Sequence, residues 1–330
     1  MSISVIKPGI LATIQDAGRF GYQQYGVIVS GAMDSYSLRI ANLLVGNDEQ
    51  EACIEISMLG TVLQFEEDCL IAITGGDLQA FIDNKPAPLW RTLYVAKGSV
   101  LKFKRPVVGC RAYVSIAGGI DVQPVMDSKS TYLKAKMGGL SGRALMAHDE
   151  IATGKLSEKQ QHLLQQYKHQ LPASWYVDYT DLVSFSTEQT IQFIEGNEYE
   201  KFTKESREYF EHSPFSITTQ SDRMGYRMHG PHIELTEKFD LLSEATTFGT
   251  VQVPSGGQPI ILMADRQTTG GYPKIAQVIS ADLSSLAQMS PKGIVHFKKV
   301  TLEEAQQKLI EKEEVLQKLK RTILAKFNQY

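Results

Sequence analysis

Side chains that can bind anions or transfer protons are concentrated in the segment 248–274. Residues 259–264 are apolar and predict a β-strand. Directly after this strand come an acid, a base, an amide and two hydroxyls, which are Asp265, Arg266, Gln267, Thr268 and Thr269. The glycine pair Gly270-Gly271 follows, and its backbone amides would form an anion-binding nest if the two conformations alternate in handedness. A β-hairpin with a solvated polar turn is the alternative interpretation.

Further cations stand in glycine-rich or hydroxyl-rich stretches in both halves of the chain. Arginine can hold a carboxylate or a phosphate through a planar fork, and lysine can do so as a point charge. The candidates are Arg19, Lys129, Arg143, Arg223, Arg266 and Lys274, and the accompanying acids are Asp16, Asp222 and Asp265. Each acid can serve as a base or can orient an arginine, while a structural salt bridge is the alternative for any one of these residues. Their repeated occurrence at predicted loop ends favours a binding cleft for a small anion or amide.

Composition narrows the class of protein. The chain has 330 residues, of which 42% are hydrophobic, enough for two domains with separate cores. Its formal net charge of −3 argues against a nucleic-acid-binding protein. Because no apolar run is long enough to span a bilayer and residues 1–14 show no secretory pattern, we expect neither a membrane contact nor secretion. The three cysteines, Cys53, Cys69 and Cys110, form no Cys-x-x-Cys pair, which is typical of a cytoplasmic protein without disulfides or a zinc site.

Several catalytic and cofactor motifs do not occur in the sequence. It contains no Gly-x-x-x-x-Gly-Lys-[Ser/Thr] loop for nucleotide phosphates, no Gly-x-Ser-x-Gly nucleophile elbow and no His-Glu-x-x-His zinc motif. Residues 134–137 read Lys-Ala-Lys-Met, which is the wrong order for a biotin-attachment tetrapeptide. We therefore expect no bound metal and no biotin attached to this chain.

The distribution of short strands predicts the fold class. Strand signals recur about every ten residues between residues 53 and 116 and return between 182 and 298, as is typical of a β-sandwich or barrel. A further strand is predicted at 26–30. Helices are predicted after the cap Asp34, after the capping box of Ser157 and Gln160, between residues 197 and 212, and after the capping box of Thr301 and Glu304. The last helix repeats an apolar residue every seven positions, which fits a coiled-coil seam or, in our interpretation, packing along its own chain.

The two halves of the chain repeat short patterns in the same order. Residues 19–22 read Arg-Phe-Gly-Tyr and residues 223–226 read Arg-Met-Gly-Tyr, and the Gly-Thr-Val of 60–62 returns at 249–251. We therefore predict two related β-domains in tandem, and ligands favour clefts between such halves. The predicted boundaries are 1–152 for the first domain, 153–174 for a helical linker, 175–300 for the second domain and 301–330 for a C-terminal helix.

Longer motifs carry a resemblance to a known family. They are Gly-Ala-Met-Asp at 31–34, Ala-Asn-Leu-Leu-Val-Gly-Asn at 41–47, Ser-Lys-Ser-Thr at 128–131, Gly-Gly-Leu-Ser-Gly-Arg at 138–143, Ser-Asp-Arg-Met-Gly-Tyr-Arg at 221–227, Gln-Val-Pro at 252–254 and Asp-Arg-Gln-Thr-Thr-Gly-Gly-Tyr-Pro-Lys at 265–274. Over residues 3–300 the chain resembles the KipA family. That family is also called the 5-oxoprolinase C subunit or allophanate hydrolase subunit 2, and it is part of the carboxyltransferase region of urea carboxylase. The chain departs from the family pattern at Glu195-Gly196-Asn197, where Pro-Gly-Pro is usual, and at Lys129, where Arg is usual.

The resemblance implies a mainly β fold of two tandem, related, cyclophilin-like β-barrel domains with a few helices. It also implies an enzyme subunit that acts in a complex of three. That complex opens the lactam of 5-oxo-L-proline to L-glutamate at the expense of ATP, which is the cofactor expected in the complex. The expected partners are a KipI-type B subunit, a third 5-oxoprolinase subunit and the small-molecule substrate, and a homo-oligomer is left open.

Within that expectation the candidate residues receive roles. Asp265, Arg266 and Arg223 are the predicted catalytic residues, Asp265 as base or orienting group and the arginines as anion-binding groups. The predicted substrate-binding residues are Lys129, Ser130, Thr131, Arg143, Thr268, Thr269, Gly270, Gly271, Tyr272 and Lys274, with the glycine amides on the developing oxyanion. We expect the candidate residues of the first half to face those of the second half across one cleft. The reason is that functional residues usually lie where two duplicated halves have diverged in sequence.

Two rival functions stay open at this point. The first is carboxyl transfer from carboxybiotin to urea or a similar small amide, which would need a biotin carrier on another protein. The second is non-enzymatic, with the chain binding and sequestering a KipI-like regulator.

Overall fold

The computed structural model describes residues 2–168, 175–237 and 241–328. The chain divides into two compact units. The described residues of unit 1 are 2–19, 30–168, 175–183 and 314–328, and those of unit 2 are 20–29, 184–237 and 241–313. The domain boundaries predicted from the sequence stay predictions, and part of the predicted linker, residues 169–174, lies outside the described residues.

The chain consists mainly of short strands with a few helices between them. The elements of unit 1 are β1 (Ser2–Pro8), β2 (Leu11–Gln15), α1 (Ser35–Leu44), β3 (Cys53–Ser57), β4 (Thr61–Phe65), β5 (Cys69–Asp77), β6 (Ala80–Ile82), β7 (Lys85–Pro86), β8 (Thr92–Val95), β9 (Val100–Phe103), β10 (Val108–Ile116), β11 (Glu150–Ala152) and α2 (Glu158–Lys168). Those of unit 2 are β12 (Glu188–Glu195), α3 (Lys204–His212), β13 (Pro214–Ile217), β14 (Gly225–His229), β15 (Glu244–Ala245), β16 (Thr250–Gln252), β17 (Ile260–Leu262), β18 (Thr269–Gly270), β19 (Lys274–Val278), α4 (Leu283–Ala287) and β20 (Ile294–Lys299). Helix α5 (Leu302–Asn328) contributes residues to both units.

Unit 1 contains two antiparallel sheets that share one hydrophobic core. The strand order is β11-β1-β4-β9-β6-β7 in one sheet and β2-β3-β10-β5-β8 in the other. In β4, Leu63 and Phe65 are buried while Gln64 between them is partly exposed, which is the alternation of a strand with one face on a core. These two side chains belong to the same core as Ile54 and Ile73 from the other sheet.

Unit 2 is built on a closed barrel with the strand order β12-β19-β16-β17-β14-β13-β20. Parallel pairing of β12 with β20 closes it. Inside, Phe193, Phe210, Phe215 and Phe297 contact one another, with ring centroids 4.2 to 6.2 Å apart. Because Phe210 comes from α3, this helix packs against the barrel through its aromatic side chain. The barrel confirms the prediction of a mainly β fold with few helices.

Local capping signals fix the helix starts as predicted. Asp34 accepts a hydrogen bond from the backbone N–H of Ser37 at 3.0 Å and caps α1. Gln160 and Ser157 exchange side-chain to backbone hydrogen bonds at the start of α2. Thr301 and Glu304 form the same reciprocal arrangement before α5.

The strand predicted at 26–30 is wrong. A single 3-10 turn occupies Gln23–Tyr25, and the residues after it are irregular. Gly26, Ser30 and Gly31 all have positive φ angles, of 78°, 58° and 87°, and left-handed residues interrupt a strand.

Helix α5 packs along its own chain, as interpreted from its apolar repeat. Leu316, Ile323 and Phe327 are buried, and the Phe327 ring lies 6.3 Å from that of Trp175. None of the helices in the described ranges, α5 included, is long and apolar enough to cross a membrane.

Candidate active site

The pairing of two barrel strands brings Arg223 and Asp265 together. Gly225 at the start of β14 pairs with Leu262 at the end of β17, and in the segments just outside these strands the Asp265 N–H donates to the Arg223 carbonyl at 2.8 Å. Arg223 and Asp265 are therefore neighbours although 42 residues separate them in the sequence.

The Arg223 and Asp265 side chains form a bidentate ion pair. The Nε of Arg223 donates to one Asp265 oxygen at 3.0 Å, and its Nη2 donates to the other at 2.9 Å. Arg223 is 5% exposed and Asp265 is 4% exposed. Both carboxylate oxygens are thus held by one guanidinium, which fixes the carboxylate and balances its charge.

Arg266 follows this pair in the chain and is not paired with a carboxylate among the described residues. Its Nη1 donates a long hydrogen bond of 3.5 Å to the Met263 carbonyl, and its guanidinium carbon lies 5.8 Å from the centre of the Phe248 ring. The Nε atom is buried and has no hydrogen-bond partner in the described parts of the chain. Burial lowers the pKa of Arg266 to about 10, so the guanidinium is still charged at neutral pH.

The backbone after Arg266 runs alongside β15. The N–H of Thr246 donates to the carbonyl of Thr268 at 2.9 Å, and the Thr246 hydroxyl donates to the carbonyl of Gln267. Thr269 then pairs with Ala245 as β18 begins. The chain after Arg266 is therefore held in place by backbone contacts, and the exposed Thr269 lies at its outer side.

The glycine pair does not form a nest, so that prediction is wrong. Gly270 pairs with Glu244 in the two-stranded sheet, and neither Gly270 nor Gly271 has the left-handed backbone that a nest requires. Strand pairing imposes an extended backbone on Gly270 instead. A Cβ atom on this glycine would lie 2.5 Å from the Nε2 of Gln252, so the Gln252 side chain would have to shift to admit it.

Lys274 is buried, and its positive charge is paired with a carboxylate. Its Nζ lies 2.6 Å from an oxygen of Glu244, and its backbone N–H donates to Glu198 at 2.9 Å. The hydrogen bond from Lys274 lowers the pKa of Glu244. The sequence does not identify Glu198 and Glu244 as partners of Lys274, because they lie 76 and 30 residues from it and no local spacing rule connects them. Tyr272, just before this lysine, is 51% exposed.

In unit 1 the predicted binding residues surround the buried carboxylate of Asp16. Asp16 accepts hydrogen bonds from the backbone N–H groups of Gly18 at 2.8 Å and Lys129 at 2.5 Å. The hydroxyls of Ser128 and Ser130 donate to the same carboxylate, the former at 2.8 Å. Asp16 therefore fixes the segment 128–130 through both main-chain and side-chain groups.

Arg19 completes this arrangement from the same loop. It is fully buried, and its Nε and Nη2 donate to the carbonyls of Val125 and Ser130 at 2.8 and 3.0 Å. The hydroxyl of Thr131, also fully buried, donates to the carbonyl of Ile14 at 3.0 Å. Ser130 and Thr131 thus tie the loops of unit 1 together.

Lys129 and Arg143 of unit 1 each form an ion pair with a carboxylate. Lys129 Nζ lies 2.7 Å from Glu51 and also donates to the Ile120 carbonyl at 2.8 Å. Arg143 holds Asp149 through a fork with distances of 2.7 and 2.8 Å.

The predicted residues thus form two groups. Arg223, Asp265 and Arg266 lie together in unit 2 with the segment 268–274, while Lys129, Ser130 and Thr131 lie around Asp16 and Arg19 in unit 1. Because the two groups belong to different units, their expected meeting across one cleft stays a prediction.

Comparison with known proteins defines the class to which this fold and site belong. Residues 25–299 match the family described as "Carboxyltransferase domain, subdomain A and B", so the chain belongs to that family. Its relatives include the 5-oxoprolinase C subunit of Haemophilus influenzae, 38% identical, and that of Escherichia coli strain K12, 41% identical. Each alignment covers 303 residues, 92% of this chain and 93% of the relative. The resemblance found in the sequence motifs is confirmed.

A solved structure also matches over nearly the whole chain. The urea amidolyase of K. lactis superposes with a TM-score of 0.86 at 27% sequence identity. The match covers 95% of this chain and 19% of that one, so the fold of this chain recurs as one region of a much longer protein.

Proposed function

We propose that this chain is a subunit of an ATP-dependent 5-oxoprolinase, which hydrolyses the lactam of 5-oxo-L-proline to L-glutamate together with partner subunits. The observation that carries this proposal is the similarity to two proteins named as the C subunit of 5-oxoprolinase, of which the alignment covers 93%. The name of those relatives supports further subunits in the complex. We expect these to be a KipI-type B subunit and a third subunit, with the whole complex in the cytoplasm.

The chemistry requires a fixed polar site. A lactam is stabilised by amide resonance, and negative charge develops on its oxygen during hydrolysis, so donors fixed near that oxygen lower the barrier. We assign Asp265 an orienting role, since both of its oxygens are held by Arg223, and we assign anion binding to Arg266. Thr268, Thr269, Tyr272 and Lys274 of the same segment are proposed substrate contacts, while Gly270 and Gly271, whose backbone forms no nest, receive no oxyanion role.

The expected ATP does not fit the four candidate cations that already hold a carboxylate. Lys129, Arg143, Arg223 and Lys274 are each paired with a carboxylate, and the sequence contains no P-loop. A triphosphate needs several donors and cations at once. We therefore place nucleotide binding on a partner subunit. Among the described residues no cluster of His, Cys, Asp or Glu has the geometry of a metal site.

Reconstitution tests the proposal. The purified chain is mixed with its two expected partners, and ATP-dependent formation of glutamate from 5-oxo-L-proline is measured. We expect activity from the complete set and none from this chain alone. Turnover by the isolated chain, or no turnover by the complete set, would contradict the proposal.

Carboxyl transfer is the second candidate function, supported by the structural match to urea amidolyase. In that case the chain would act on a small amide with a biotin carrier on another protein. A pull-down from cells separates the candidates, because a biotinylated partner favours carboxyl transfer and a KipI-like partner without biotin favours 5-oxoproline hydrolysis.

Sequestration of a KipI-like regulator, without catalysis, makes a different prediction. Arg266→Gln is the informative variant, because it removes the proposed anion-binding group and leaves the buried Arg223–Asp265 pair intact. If the variant keeps partner binding and every cellular effect of the wild type, sequestration is favoured. Loss of turnover with partner binding retained favours catalysis.

A further inference from the structure

Arg266 lies in the segment after β17 and forms no ion pair of its own among the described residues. Asp265 precedes it, but both oxygens of that carboxylate accept hydrogen bonds from Arg223, so the Arg223–Asp265 pair is neutral as a whole. Lys274, a further cation of the same segment, is balanced by Glu244. Within the described residues of unit 2, Arg266 has no such carboxylate partner of its own.

The surroundings of Arg266 suit a planar anion. Its Nε is buried without an acceptor, its Nη1 makes only a 3.5 Å contact, and its Nη2 makes no hydrogen bond with the described residues. Because the Nε atom is enclosed by protein, the two Nη groups are the donors that a ligand would meet, and a carboxylate supplies two coplanar oxygens at their spacing. The guanidinium lies over the ring of the partly buried Phe248, with its carbon 5.8 Å from the ring centre, and the remainder of this ring is an apolar surface next to the cation.

We propose that Arg266 and Phe248 bind a small cyclic monocarboxylate, with the guanidinium holding the carboxylate and the aromatic ring contacting the apolar part of the ligand. This inference rests on the proposed function, in which 5-oxo-L-proline supplies one carboxylate on a small ring. Arg266 is then the residue that distinguishes the acid from its uncharged analogue. A site built to bind a polar group rejects a ligand that lacks this group, because the protein donor is left unpaired.

Charge balance favours a carboxylate over a phosphate at this position. A carboxylate carries a single negative charge, which one guanidinium neutralises, whereas a phosphate group carries a charge of about −1.5 to −2 at neutral pH. Gly270 and Gly271, which could have added the amides of a nest, are not left-handed. An apolar ring next to the cation also favours an organic acid.

Ligand binding by the purified full-length chain tests the inference. Calorimetry or ligand-observed NMR compares 5-oxo-L-proline and cyclopentanecarboxylate with 2-pyrrolidinone, which keeps the lactam and lacks the carboxylate, and with inorganic phosphate. We expect the two carboxylates to bind and the lactam and phosphate to bind about tenfold more weakly or not at all. Arg266→Gln should weaken binding of both carboxylates by about tenfold or more, as expected for loss of a charge-assisted pair.

Arg207→Gln is the matched control, because Arg207 belongs to the same unit and is paired with Glu200. It should bind carboxylates like the wild type, and thermal unfolding confirms that each variant is folded. Equal binding by wild type and Arg266→Gln, preference for phosphate, or no carboxylate binding at all would overturn the inference. The outcome is separate from the proposed function: an inactive reconstituted complex with Arg266-dependent carboxylate binding contradicts only the function, and an active complex without such binding contradicts only this inference.

Discussion

The Arg-Phe-Gly-Tyr sequence that begins at Arg19, the last residue of the first stretch of unit 1, and the Arg-Met-Gly-Tyr sequence that begins at Arg223 in unit 2 are nearly the same and make different contacts. In the first loop, Arg19 donates to backbone carbonyls, and Asp16 accepts hydrogen bonds from a distant segment of the chain. In the second loop, Arg223 holds the carboxylate of Asp265. Asp222, which precedes it, accepts from the N–H groups of Met224 and Gly225 within its own turn.

This difference in contacts indicates a structural role for the motif at Arg19 and a functional role for the motif at Arg223. The Asp16 and Arg19 side chains are buried and join segments of backbone, so their contribution is to hold the fold of unit 1. The Arg223–Asp265 pair is buried as well, but the turn after β17 that contains Asp265 continues into the half-buried Arg266, which has no carboxylate partner of its own among the described residues. Similar sequences therefore give a closed arrangement in one unit and an available cation in the other.

The largest expected effect is the loss of turnover on replacing Arg266. In the reconstituted complex, Arg266→Ala should lower kcat/KM by about 100-fold or more, equivalent to about 2.7 kcal/mol of transition-state binding. The free energy of unfolding should change by less than about 1 kcal/mol, since Arg266 has few contacts to lose. Steady-state kinetics and urea unfolding measure the two quantities. Full activity of this variant would show that Arg266 has no catalytic function, so the two loops would no longer differ in the way described.

Replacing Arg223 should have the largest effect on stability. Arg223→Ala leaves the Asp265 carboxylate buried without its partner, and breaking such a pair costs about 3–5 kcal/mol. Urea unfolding at neutral pH measures this loss. The double variant Arg223→Met with Asp265→Leu should recover much of the stability, because no unpaired charge remains. If Arg223→Ala lowered the free energy of unfolding by less than about 1 kcal/mol, the Arg223–Asp265 pair would have to be exposed to water in solution.

The equivalent acids of the two loops should differ in their contribution to stability. Asp16→Asn places an amide N–H₂ where hydroxyl and backbone donors converge, and we expect a loss of about 2–3 kcal/mol. Asp222→Asn keeps an oxygen that can accept from the turn and lies at an exposed position, so its loss should stay below about 1 kcal/mol. Equal losses in urea unfolding would mean that the two loops do not differ in the way described.

Local sequence signals predicted much of the fold. The helix cap at Asp34 and the two capping boxes depend on residues within one turn, so their spacing in the sequence is their spacing in space. Most strands were found because burial on one face leaves an alternating pattern. The strand at 26–30 failed because its apolar residues gave no sign of the left-handed angles at Gly26 and Ser30.

Partners in the candidate site were much less predictable. Arg223 and Asp265 meet because β14 and β17, the strands next to them, are paired, and Lys129 meets Glu51 over 78 residues of sequence. Residue type showed that these side chains can bind anions, and only the fold shows which of them are already bound to a carboxylate. The Gly270-Gly271 nest failed for a related reason, since pairing with β15, distant in sequence, sets the backbone angles of Gly270.

The smallest predicted effect concerns a cation of unit 1 that is paired at the surface. The hydrogen bonds from Arg143 lower the pKa of the Asp149 carboxyl below its ordinary value of 3.8. The unfolded chain therefore binds more protons than the folded protein between these two pKa values, and the pair stabilises the fold fully above about pH 4. This contribution disappears as the pH falls through the lowered pKa. Because Arg143 is 38% exposed, Arg143→Gln should cost only about 0.5–1 kcal/mol at pH 7 and progressively less in acid. Urea unfolding of both proteins from pH 7 down to about pH 3 measures this convergence. A difference that stays constant over the whole range would show that Arg143 stabilises unit 1 through packing and not through its charge.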